Sequence, residues 1–224
     1  MISLLLRTVA LLALAPATAP APAAVLATVL AAVPSSVTPA APLDTAVFAG
    51  GCFWGVQAVF QHVKGVVSAT SGYSGGSADK PSYEQVSSGR TGHAESVRVV
   101  YDPSKVSYNT LLEVFFKVAH DPTELNRQGP DVGTQYRSAV FYTSEAQHRA
   151  IAGYITGLEK SGAVKRPVVT QVLPLRAFHT AEAYHQDYAT LHPDAPYIVY
   201  NDAPKIDALR RQYASLWNDR IAGH

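Results

Sequence analysis

The sequence predicts an α+β fold: a single domain built as a two-layer sandwich, a mixed β-sheet covered by helices, ending in an irregular C-terminal region. Three observations carry this. Short apolar runs of strand type are interspersed with stretches of helical period, without the strict β-α alternation of a doubly wound fold. No segment repeats. The length, 224 residues, suits one sizeable domain plus an appendage.

The appendage comes first. Met1–Pro42 is almost entirely Ala, Leu, Val, Pro, Ser and Thr, with Arg7 as its only charge. Met1–Arg7 reads as a positive n-region, Thr8–Ala15 as an apolar h-region, and Ala21-Pro22-Ala23 as a small-residue cleavage site. Residues 1–23 are therefore expected to be a signal peptide, exporting the chain to the periplasm or another extracytoplasmic space. An uncleaved membrane anchor is the alternative, because Val25–Val33 stays apolar. Pro16, Pro20 and Pro22 break any single spanning helix, which favours cleavage. Residues 24–43 form an Ala/Pro-rich disordered linker, and 44–224 the folded domain.

Within the domain, Thr45–Ala49 is an apolar strand, followed by Gly50-Gly51-Cys52-Phe53-Trp54-Gly55. Val56, Val59, Phe60 and Val63 then recur at helical spacing. Gly65–Gly72 has strand character and leads into a Gly/Ser/Pro-rich loop, with a short turn of helix at Tyr83–Val86. Gly92–Tyr101 reads as a strand, with Ala94, Val97, Val99 and Tyr101 set against Glu95 and Arg98. Ser107 caps a helix over Tyr108–Ala119. His120–Gln135 is irregular and of a length common in functional loops. Tyr136–Tyr142 is a strand, Ser144 caps a helix to about Lys160, and Val168–Leu173 is a strand. Thr180–Leu191 and Lys205–Ile221 read as helices.

Composition excludes several functions. Setting Arg7 aside, basic and acidic residues balance, and no basic run or aromatic-basic alternation marks a nucleic-acid surface. The single cysteine rules out an internal disulfide and a multi-cysteine zinc site. No phosphate loop, dinucleotide fingerprint or His-x-x-x-His pair occurs, so neither metal nor nucleotide cofactor is called for. No extended heptad or long apolar edge suggests an oligomer, so a monomer is expected.

Cys52 falls between a strand and a helix. Paired glycines leave the local amides accessible, and a helix N-terminus favours an anion, so a thiolate with lowered pKa is expected there. The opposing reading is a small buried hydrophobe. Residues with useful protons are Tyr83, His93, Glu95, His120, Asp121, Asp131, Tyr136, Glu182 and His185. A cysteine hydrolase would pair Cys52 with His93 or His185; an oxidant sensor would need the thiol alone.

Gly51-Cys-Phe-Trp-Gly55, Gly72-Tyr-Ser-Gly-Gly76, Pro81-Ser-Tyr83, Gly92-His-Ala-Glu95, Tyr101-Asp-Pro103, His120-Asp-Pro122, Asp131 and Gly133-Thr-Gln-Tyr-Arg-Ser138 stand in one order, followed by Phe178, Ala181-Glu182 and Tyr184-His-Gln186. This pattern, from about Thr45 to Lys205, resembles the A-type peptide methionine sulfoxide reductases. The resemblance implies that Cys52 attacks the sulfur of a methionine S-sulfoxide, in proteins and in the free amino acid, leaving a sulfenic acid on the enzyme. It implies Glu95 as the acid that protonates the oxygen, Tyr83 and Tyr136 as hydroxyls that bind that oxygen, Phe53 and Trp54 as the aromatics around the methyl group, and Asp131 as a secondary carboxylate. An apolar wall beside Glu95 would keep it protonated.

One departure matters. Many members of that family carry further cysteines near the C-terminus, whereas Tyr197-Ile-Val-Tyr-Asn-Asp202 and the residues after it contain none. This resembles a single-cysteine branch with a Tyr-Asn-Asp-x-Pro-Lys tail. It implies regeneration by an external thiol, a thioredoxin- or glutaredoxin-like protein or a small molecule.

Overall fold

A computed structural model describes residues 42–224; the expected signal peptide and all but the end of the expected linker lie outside the described residues. The chain runs β1 (Asp44–Gly50), α1 (Phe53–Gln61), β2 (Val66–Ser74), α2 (Tyr83–Ser87), β3 (Ala94–Tyr101) and α3 (Tyr108–Val114). A small ribbon, β4 (Arg127–Gln128) and β5 (Asp131–Val132), precedes β6 (Ser138–Tyr142), α4 (Glu145–Lys160), β7 (Gln171–Pro174) and β8 (Phe178–Thr180). Two further helices, α5 (Tyr188–Leu191) and α6 (Ala203–Gln212), follow.

Six strands form one mixed sheet in the order β7-β6-β1-β3-β2-β8. All neighbours are antiparallel except β6 and β7, which α4 joins by a parallel crossover. β1 lies inside the sheet, and Ala46–Ala49 are buried on both of its faces. That explains an uninterrupted apolar run where a half-solvated strand would alternate. On one face Phe48 stacks between Phe60 and Phe115, with ring centroids 4.9 and 4.8 Å away. On the other, Val47, Ala49, Ala139 and Phe141 pack against Leu173, Leu175 and Phe178.

The expected caps form: the side chains of Ser107 and Ser144 accept from the amides of Thr110 and Gln147. The helix expected over Tyr108–Ala119 is continuous but ends in a π turn, Phe115–Ala119. That widened turn directs the Phe115 carbonyl to the His120 Nδ1–H at 2.9 Å. Because a carbonyl only accepts, His120 Nε2 is the acceptor for Ser138 Oγ–H at 2.7 Å, and Ser138 in turn accepts from Thr170 at 2.7 Å. This buried chain ties the end of α3 to β6.

Three expectations are corrected. Thr180–Leu191 is not a helix: β8 pairs with β2, a 3-10 turn covers Ala183–His185, Asp187 is left-handed (φ 57°), and α5 is short. The reason is tertiary. Gln186 bonds both backbone groups of Ser71, and the Ala181 amide reaches the Ser71 carbonyl, so this segment satisfies the edge of β2 rather than itself. The last helix stops at Gln212 instead of Ile221. Beyond it the chain folds back, and Leu216, Asn218 and Ala222 bond the backbone of Lys64, His62 and Gln61 at the end of α1. Tyr136 lies in a 3-10 turn, and its strand begins at Ser138.

Burial pulls the His120 pKa down to about 4. Folding therefore favours neutral His120, and this contribution is complete above the unfolded value near 6.5 and lost as pH falls towards 4. Across that window wild type should lose up to about 3 kcal/mol relative to His120→Asn. Urea unfolding of both proteins from pH 7.5 to 4.5 checks this: the gap between their curves should narrow on the acid side.

Candidate active site

Cys52 is the residue before α1, so the strand-to-helix placement expected for it holds. Gly51 makes the turn with φ 91°, and a Cβ there would lie 2.5 Å from Gln128 Cβ, so both conformation and space demand glycine. The first amide of α1, Phe53 N–H, donates to Glu95 Oε2 at 3.0 Å. The next, Trp54 N–H, is turned to the cysteine sulfur. Two free amides at the helix start are thus divided between a carboxyl and a thiol.

Glu95 reaches that amide because of strand parity. It shares a face with Val97, Val99 and Tyr101, which lie in the main core, whereas Ala94 packs in the smaller cluster and Arg98 sits over Phe178. The grouping of Ala94 with Val97 and Val99 is therefore corrected: side chains alternate with period 2, and Glu95 points inward. It is 2% exposed, and burial pushes its pKa up to about 8, with Asp131 and Asp202 adding to the shift and the Phe53 amide opposing it. At neutral pH Glu95 is a carboxylic acid.

The thiol differs from expectation. Burial raises the Cys52 pKa well above its ordinary value; the charges of Glu95 and Asp202 raise it further, and the Trp54 amide only partly offsets them. The helix N-terminus does not win here, because desolvation of an anion exceeds the effect of one oriented amide. Cys52 rests as a thiol.

Cys52, Phe53, Trp54, Tyr83, Glu95, Asp131 and Tyr136, every site residue expected from the sequence, line one cavity of about 190 Å3 together with Tyr197. Trp54, Tyr83 and the turn of Tyr136 are held from outside it. Trp54 Nε1–H donates to His185 Nδ1 at 3.2 Å, and its ring stacks on Tyr188 at 3.8 Å. The Tyr83 amide donates to Glu182 Oε1 at 2.9 Å, and Glu182 Oε2 accepts from Tyr73 at 2.8 Å. Tyr136 follows Gly133, whose φ of 146° admits only glycine, and Gln135 ties this turn to α2 through the Ser87 carbonyl. Asp131 accepts a short hydrogen bond from the Tyr197 hydroxyl.

The other candidates lie outside the walls. His93 pins the loop after β2 through the Gly76 amide and the Ala78 carbonyl. His120 and Asp121 belong to the junction between α3 and the ribbon. Glu182 and His185 act on Tyr83 and Trp54. No histidine lines a cavity that Cys52 faces, so the Cys–His pairing of a hydrolase is not formed. Among the described residues, no cluster of His, Cys, Asp and Glu could hold a metal ion.

Sequence reasoning assigned no role to Tyr197 or Asp202. Asp202 is fully buried, pairs with Lys205 at 3.1 Å, and lies against Gly55. The only signal for Asp202 was the Tyr-Asn-Asp-x-Pro-Lys pattern, residues 200–205; Tyr197 lies outside it.

A family model described as peptide methionine sulfoxide reductase matches residues 44–217. The chain is 55% identical over 182 residues to the peptide methionine sulfoxide reductase MsrA 2 of Mesorhizobium japonicum, covering 81% of this chain and 93% of that one. It is 55% identical over 150 residues to MsrA of Methanosarcina acetivorans, covering 67% and 79%. Among solved structures it resembles methionine sulfoxide reductase A of Corynebacterium diphtheriae, with a TM-score of 0.61, 34% identity and coverage of 72% and 80%. It also resembles reduced Mxr1 of Saccharomyces cerevisiae, with a TM-score of 0.63, 32% identity and coverage of 68% and 87%.

A Cβ on Gly55 would lie 2.1 Å from Asp202 Oδ1. Gly55→Ala should therefore cost about 1–3 kcal/mol as overpacking, and Gly55→Ala/Asp202→Gly should recover part of that loss. Denaturant unfolding of both single variants and the double variant tests the contact; additive losses would refute it.

Proposed function

The chain belongs to the peptide methionine sulfoxide reductase family, oxidoreductases that reduce methionine sulfoxide and repair oxidised proteins, and from that premise we propose how its residues carry the reaction. The observation that carries the reading is a neutral, buried Glu95 in the same small cavity as the only cysteine.

Methionine S-sulfoxide enters with its methyl group against Phe53 and Trp54 and its oxygen towards Glu95, Tyr83 and Tyr136. A sulfoxide oxygen is a poor leaving group until protonated. Glu95, unionised up to about pH 8, donates that proton as Cys52 attacks sulfur, and the carboxylate formed accepts the thiol proton. The two tyrosine hydroxyls stabilise charge developing on oxygen. The S–O bond of the sulfoxide breaks and one forms at Cys52, so methionine leaves and Cys52–S–OH remains. Two electrons pass from the cysteine sulfur to the substrate sulfur. Asp131, oriented by Tyr197, takes the secondary role of contacting the substrate backbone or ordering a water.

With one cysteine in the sequence, the sulfenic acid is returned to thiol by an external reductant, a thioredoxin- or glutaredoxin-like protein or a small thiol. The N-terminal pattern supports export, followed by cleavage after Ala23. The N-terminal sequence of protein recovered from the cell envelope tests that.

Single-turnover conversion of a peptide carrying separated sulfoxide epimers, without reductant, tests the chemistry. Wild type should release one equivalent of methionine from the S epimer alone, and Cys52→Ser none. Glu95→Gln should slow the burst about 100- to 10,000-fold, the usual range for a lost general acid. The wild-type rate should fall as pH rises through about 8, and Glu95→Gln should lack that limb. Methionine from neither epimer, with Cys52 free, would refute the mechanism.

A further inference from the structure

Cys52 also faces a second, smaller cavity of about 60 Å3, lined by Gln128, Gly129, Pro130, Asn201 and Lys205. Asp131 and Tyr197, hydrogen-bonded to each other, line both cavities and so stand between them. The second is built from the β4–β5 turn and the start of α6, and none of the oxygen-binding residues Glu95, Tyr83 and Tyr136 lines it. Gly129 and Pro130 at its wall are exposed.

We propose that this second cavity is the entry port for the thiol that reduces oxidised Cys52, and that its ligand is a primary alkyl thiol, –CH2–SH. The proposal rests on the reductase mechanism above. Displacement at a divalent sulfur is in-line: the incoming sulfur approaches opposite the bond that breaks. After turnover the oxygen of Cys52–S–OH rests among Glu95, Tyr83 and Tyr136, so the attacking thiol needs access to Cys52 from another side. The second cavity supplies it, and its volume is several times the ~10–15 Å3 one water needs. Among the described residues, Lys205 is the only cation lining either cavity. Its side chain is 20% exposed, and its ammonium, 3.1 Å from Asp202, favours the thiolate form of an arriving thiol.

The step balances. Cys52–S–OH and R–S–H give Cys52–S–S–R and water: the S–O bond breaks, the S–S bond forms, and the hydroxyl leaves with a proton from Glu95. The thiol proton passes to solvent, which reprotonates Glu95. A second equivalent of thiol attacks the mixed disulfide, releasing Cys52–SH and R–S–S–R.

The two half-reactions separate experimentally. Enzyme loaded with one equivalent of methionine sulfoxide peptide is desalted, then mixed with dithiothreitol, glutathione or a thioredoxin, and remaining sulfenic acid is counted by dimedone labelling and mass. Asn201→Phe narrows the port, Lys205→Met removes its charge, and Lys205→Arg keeps it. In Asn201→Phe the methionine burst should stay within about twofold of wild type while the thiol rate constant falls at least about tenfold. Lys205→Met should slow the thiol step severalfold, and Lys205→Arg should restore most of it. Loss with the two small thiols alone assigns the port to small molecules, and loss with thioredoxin alone assigns it to a protein cysteine. Unchanged thiol rates in a folded Asn201→Phe, or burst and thiol step falling together, would overturn the port while leaving the reductase mechanism standing. A wild type that makes no methionine would sink both.

Discussion

The hydrogen bond from the Phe53 amide to the Glu95 carboxyl is the contact on which the site depends. It joins the first turn of α1 to the first residues of β3, and it requires a carboxyl on the core face of a central strand. An ionised carboxylate would find one amide too little compensation for lost water, so the group is held as an acid. The same helix start carries Cys52. Glu95 and Cys52 are therefore placed by a single junction between strand and helix, and neither moves without the other.

That junction is enclosed by chain with little regular structure. Glu182 fixes Tyr83, His185 fixes Trp54, Gln186 fixes the backbone of β2, Tyr197 fixes Asp131, and Asp202 fills the space left by the missing side chain of Gly55. These residues span only the stretch after β8. Its side chains and backbone bond partners in the sheet and in α1, which is why residues 181–187 form turns and only a short helix, α5, follows. Precision at the cavity comes from side-chain hydrogen bonds rather than from propensity.

The electrostatics of Cys52 follow from this enclosure. A thiol surrounded by Glu95, Asp202 and Asp131 and removed from water is a poor nucleophile at rest and a poor target for adventitious oxidation. Under the proposed mechanism, reactivity is conditional on a substrate that brings an oxygen for Glu95 to protonate. In that mechanism the proton that keeps Glu95 neutral and the proton that keeps Cys52 a thiol are both used, so high pKa values at both groups are compatible with it.

The order of β1, β2, β3, β6 and β7 and of the main helices, the Ser107 and Ser144 caps, and all seven expected cavity residues were legible from local pattern and family motif. Motif residues such as Gly51, Cys52 and Gly133 carry their reasons locally, in φ and in the turn they permit. The direction of Glu95 was not legible from strand pattern alone. Parity along β3 was present in the residues, but a glutamate reads as solvent-facing until the facing helix is seen to offer an amide. The thiol's raised pKa, the unwinding of Thr180–Leu191 and the return of the chain after Gln212 lie at the same level. Each is set by groups distant in sequence: burial, reinforced by three carboxylates, for the first, the open edge of β2 for the second, the unsatisfied backbone at the end of α1 for the third. Local sequence determined which residues this protein has for its chemistry. Desolvation and long-range hydrogen bonding, which exist only once the chain has closed on itself, decided their protonation and what holds them in place.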